Sequence, residues 1–167
     1  HVIVPRDHFV ALPSRRALCS NFGHEFEVEI SYGGRPVREP QWDIGPWNIR
    51  DDYWNPPAVR ETYQDLPQGL PEAQAAFQNQ YNNGHDGFGR DVKNPAGIDL
   101  ADGTFWQDLQ LPDNSFIQVK FLWLLSYALG PMTGQRVTSS ATVTQLRTGS
   151  ALLTANPGQA VAGAFLL

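Results

Sequence analysis

The chain has 167 residues, with 17 acidic against 12 basic side chains and a net charge of −5, a length that suits one domain or one domain with an appendage. No Lys/Arg cluster interrupts that acidic balance, which argues against a nucleic-acid partner, because neutralising phosphates needs concentrated positive charge. The longest apolar run, Phe121 to Leu129, is broken by Ser126 and is too short to span a bilayer.

Charged residues make up only 17 % of the chain, while Gly and Pro number 15 and 13 and Trp is frequent. Such a sparsely charged, loop-rich composition is common among secreted carbohydrate-active proteins. The single Cys19 excludes an intramolecular disulfide. The opening His1-Val2-Ile3-Val4-Pro5 reads as a mature strand rather than a signal peptide, so an exported protein is expected to have lost its leader already.

In chain order, His8–Leu12 reads as a short strand stopped by Pro13-Ser14, and residues 15–23 form a connector with a modest helical signal. Glu25–Ser31 alternates charged and apolar residues with period two, which predicts a strand with Phe26, Val28 and Ile30 in the core and the glutamates outward. Gly33-Gly34 supplies a hairpin turn, and Pro36–Trp42 returns as its partner. From residue 48 to about residue 95 the chain reads as an insertion lying over the sheet or barrel. Its best helix runs from Leu70-Pro71 to Tyr81, with Pro in the first turn and Asn82-Asn83-Gly84 as the stop. Ile98–Leu100 resumes a buried strand, and Ala101–Leu109 makes a short helix with Phe105, Trp106 and Leu109 on one face. Phe116–Leu122 is a second alternating strand. Beyond Gly130 the sequence turns Thr/Ser/Ala/Gly-rich, so residues 131–167 are expected to be an extension, a linker or added strands, with Val137–Leu146 able to pair.

Two motifs then stand out, Asp43-Ile44-Gly45-Pro46 and Ile98-Asp99-Leu100-Ala101, each placing one carboxylate among apolar residues and Gly or Pro. Their order, with the hairpin before them and a short helix after, resembles the double-psi β-barrel superfamily of the rare-lipoprotein-A-like, expansin-like and related endoglucanase families. The resemblance covers roughly residues 8–47 and 96–124. It implies a mainly β fold, a six-stranded double-psi β-barrel over residues 1–130 with the helical and loop insertion at 48–95, followed by a C-terminal extension. It also implies extracellular or periplasmic work on a polysaccharide, peptidoglycan or a β-glucan. Two features depart from the pattern: the lipoprotein-type His before Leu12-Pro13 is absent, and the insertion is longer.

Within that resemblance Asp99 is the expected general acid and Asp43 the partner carboxylate of a lytic transglycosylase or glycoside hydrolase. Such chemistry needs carboxyls about 5 Å apart for retention and roughly 6.5–9.5 Å for inversion. Both residues have structural alternatives, Asp99 as a helix N-cap and Asp43 as a turn residue bonding the backbone ahead of Gly45-Pro46. Trp47, Trp54 and Tyr53 are the expected sugar-stacking residues, whereas Trp106 reads as core. His85, beside Asp86 in a Gly-rich loop, is a candidate ligand contact or replacement acid/base. No metal spacing such as His-X3-His occurs, so neither metal nor organic cofactor is expected. The alternative function is non-catalytic, an expansin-like carbohydrate-binding module or a structural subunit whose extension joins copies of the chain.

Overall fold

The computed structural model describes residues 4–124 and the two strands at 142–147 and 150–154. The chain divides into two units, residues 1–121 and 122–167. The first holds strands β1 (Val10–Leu12), β2 (Glu27–Tyr32), β3 (Arg35–Ile44), β4 (Asp99–Leu100) and β5 (Gln118–Phe121), together with helix α1 (Glu72–Asn79). The second holds an antiparallel hairpin of β6 (Thr142–Arg147) and β7 (Ser150–Thr154). That hairpin includes the end of the pairing segment expected at 137–146, while residues 137–141 lie outside the described ones.

The five strands of the first unit form one open, mixed sheet in the order β4-β1-β3-β2-β5, so β4 and β5 are its edges. The β1–β3 pair is parallel and the others are antiparallel. The fold is therefore β-rich with few, short helices.

The alternation in β2 acts as expected: Val28 and Ile30 are fully buried, and Glu27 and Glu29 are half-exposed. Gly33 and Gly34 both take positive φ, 56° and 80°, which gives the two-residue primed turn whose twist matches its strands. That turn sets the register Tyr32↔Arg35 through Glu27↔Pro40.

Helix α1 begins just after Pro71 and closes at Gln80, whose left-handed φ of 56° caps it two residues earlier than the Asn-Asn-Gly stop. Asn82 and Asn83 are left-handed as well, in the 3-10 turn Tyr81–Gly84 that follows. The segment after β4 is a π-helical turn, Gly103–Asp108. Its wider winding rotates Trp106 off the face shared with Leu109: Leu109 is buried, but Trp106 is 42 % exposed and is not the core residue the α-helical spacing suggests.

What holds the insertion together is charge. Arg60 and Asp51 are both fully buried and paired, Nε and Nη2 of Arg60 donating to Asp51 Oδ1 at 2.9 and 2.5 Å. The other oxygen of Asp51 accepts the Glu72 backbone N–H at 2.7 Å, so it caps α1, where Pro71 has no side-chain acceptor to offer. Asn48 donates to Glu72 Oε2 and accepts from Tyr63 and Gly87. Asp52 accepts from Arg16, Asn55 and the Glu61 N–H. The polar loop residues thus form an internal frame of mutual hydrogen bonds, in which Glu72 Oε1 is left buried without a partner.

Candidate functional site

The strand order brings the two sequence motifs together. In the ladder, Ala11 of β1 pairs with Asp43 on one side and with Asp99 on the other. Residues directly opposite in neighbouring strands project to the same face, so the two aspartates flank a single small side chain. Two strand spacings put their Cα atoms about 10 Å apart. The Asp99 carboxylate leans back across that gap, since a Cβ built on Gly45 would lie 4.0 Å from Asp99 Oδ2. Gly45 takes φ 151°, precedes a cis peptide to Pro46, and donates its N–H to Leu12 O at 3.1 Å.

Asp99 opens to solvent, but the surrounding apolar walls crowd its carboxyl. Desolvation raises its pKa above the ordinary Asp value, and the negative charge of Asp43 adds to the rise. Asp43 is exposed, and its Oδ1 accepts the Ile44 N–H at 2.7 Å, the local bond that the turn reading predicts.

Asp99 lies in the wall of an open cleft of about 740 Å³, whose lining includes Tyr53, Pro71, Asn94, Phe105, Phe116 and Phe121. The close fit at Gly97 shapes this wall. A Cβ there would fall on the Pro71 ring, 2.9 Å from its Cβ, and 3.7 Å from Tyr53 Cε1. Pro71 immediately precedes helix α1, whose first N–H Asp51 caps, and so links the buried charge frame to the cleft.

The expected aromatic residues divide. Tyr53 lines the cleft but is only 5 % exposed. Trp54 is buried, 5.1 Å from the Phe121 ring and 5.5 Å from Tyr53, so its faces are taken up by core packing and no sugar can stack on them. Trp47 packs against Ala73, Ala76 and Val92 and donates Nε1–H to Asn94 Oδ1 at 3.0 Å, which places it behind the cleft wall. His85 pairs with Asp91 at 3.2 Å and is not among the residues lining the cleft. The accessible ring at the rim is Phe116, 72 % exposed, with Phe105 half-exposed deeper in. The strand expected from Phe116 starts two residues later, at Gln118. An aromatic among polar loop residues (Asp113-Asn114-Ser115-Phe116) was the signal available.

Among the described residues, no helix is long and apolar enough to cross a membrane. No curated protein and no solved structure matches the chain. The model of one family, described as a domain of unknown function (DUF8814), matches residues 1–120, and the chain belongs to that family.

Proposed function

We propose that this domain acts on a polysaccharide outside the cytoplasm, peptidoglycan or a β-glucan, with Asp99 as general acid and Asp43 as partner carboxylate. The observation that carries the reading is the placement of the two aspartates on either side of Ala11, with Asp99 in the lining of an open cleft that has an exposed aromatic rim and Asp43 beside it but outside that lining. A general acid must hold its proton near working pH, and the upward shift at Asp99 favours that state. Two strand spacings between the Cα atoms leave room for paired carboxyls to reach one glycosidic bond. Phe116 and Phe105 offer faces on which pyranose rings stack. The parallel β1–β3 pair, with Asp43-Ile44-Gly45-Pro46 at its end, supports a double-psi arrangement for this sheet.

The test is to incubate the protein and its Asp99→Asn and Asp43→Asn variants with purified peptidoglycan and soluble β-glucans, then analyse released fragments by mass spectrometry. Fragments that vanish with Asp99→Asn establish cleavage, and anhydro ends make it a transglycosylase. The non-catalytic reading is favoured by the engagement of Asp43 Oδ1 with the Ile44 N–H. Glycan binding without fragments from any folded variant would establish that reading instead.

A further inference from the structure

A second group of side chains gathers on the same unit, from parts of the sequence that no spacing rule connects. His8 precedes β1, Glu39 lies in the middle of β3, and Asp108 ends the π-helical turn. One donor atom from each lies within 4.8 Å of the other two. His8 Nδ1 is 2.6 Å from Asp108 Oδ2 and 4.0 Å from Glu39 Oε1. Donors sharing a tetrahedral ion at the usual 2.0–2.1 Å bond lengths stand about 3.3 Å apart, between those two separations.

We infer that His8, Glu39 and Asp108 form a binding site for a divalent transition-metal ion of the Zn²⁺ kind. The donor set, one imidazole and two carboxylates, favours such ions over Ca²⁺ and Mg²⁺, which prefer all-oxygen shells. The Glu39 side chain is 6 % exposed, while those of His8 and Asp108 are 37 % and 30 % exposed, so the site has a buried floor and an open side for a water ligand. Thr104 supplies an independent indication. It is fully buried, its hydroxyl has no hydrogen-bond partner, and it lies against Glu39. A hydroxyl so placed can orient a ligating carboxylate. Gly103 donates to Asp7 O at 2.9 Å, and a Cβ there would lie 2.5 Å from Pro5 O and 2.7 Å from both Asp7 O and His8 Nε2, so the turn packs against the segment ahead of β1 at a distance only glycine allows.

The experiment is isothermal titration calorimetry of the chelator-treated full chain with ZnCl₂ at pH 8, with CaCl₂ and MgCl₂ in parallel. Expected are one Zn²⁺ per chain and at least about tenfold weaker binding in His8→Ala and Asp108→Asn, with His24→Ala unchanged. Circular dichroism checks the fold of each variant. If either variant misfolds, NMR of the wild type decides, because Zn²⁺ must move the His8 ring signals and leave those of His24 and His85 in place. Absence of Zn²⁺ binding at pH 8, binding unaffected by His8→Ala, or shifts centred on His24 or His85 would each overturn the assignment.

Discussion

Replacing Arg60 by Ala tests whether buried charge holds the insertion in place. Arg60 is wholly enclosed, gives two donors to Asp51 and a third to Leu70 O at 2.9 Å. Its removal leaves a carboxylate inside the protein with no counter-ion, and breaking a buried pair from one side costs about 3–5 kcal/mol. A domain of this size has only about 5–15 kcal/mol in hand, so the variant should lose from about a fifth to all of its stability. Asp51 has a partial escape. Burial raises its pKa while the Arg60 charge opposes the rise, so without Arg60 it takes up a proton more readily and the loss should shrink as pH falls. Urea denaturation followed by tryptophan fluorescence at pH 8 and pH 5 measures both effects. The double variant Arg60→Met, Asp51→Leu should recover most of the loss, leaving about 1 kcal/mol for the uncapped Glu72 N–H of α1. A loss below about 1 kcal/mol at pH 8, the scale of an exposed ion pair, would refute the argument.

Asp99→Asn should make the protein more stable at neutral pH. The folded-state pKa of Asp99 lies above its unfolded value, so its ionisation costs stability as pH rises through that raised value, and no difference from the wild type should remain well below the ordinary value of 3.8. Thermal denaturation at pH 3 and pH 7 checks the sign. Any glycan cleavage by the wild type should decline as pH rises through the same range, because the acid form is being lost, and a pH–rate profile of fragment release shows it. Gly97→Val should cost about 1–3 kcal/mol by overpacking against Pro71 and should weaken glycan affinity, read by denaturation and by binding assays. Trp54→Ala should cost about 3–5 kcal/mol through core loss, with glycan affinity of the folded fraction unchanged; selective loss of affinity would contradict its placement in the core.

The parts of the fold that could be read from the sequence are those set by local rules. The period-two pattern at Val28 and Ile30 and the Gly33-Gly34 turn each contain their own geometry in a few residues. The two aspartate motifs were legible for the same reason, though their meeting across Ala11 depends on strand order. What stayed hidden needs partners distant in the chain. Asp51-Asp52 in a Pro-rich stretch reads as a solvated loop unless Arg60 and Arg16 are known to reach them. Trp54 reads as a loop aromatic until Phe121 closes on it. Trp106 falls on the core face only at 3.6 residues per turn, and the backbone there winds more widely.

The pairing of Ala11 with Asp99 also decides when the carboxylates exist as a pair. One comes from a strand continuous with the hairpin, the other from a two-residue edge strand reached only after the whole insertion. Such a strand has little ladder to break, and edge elements open at lower free energy than the strands they border. Asp99 should therefore part from Asp43 in moderate denaturant while β2 and β3 stay paired. Amide exchange would show it, with protection at Ala101, whose N–H donates to Phe9 O at 3.0 Å, lost before protection at Ile30, and the cleft would go dormant well short of unfolding.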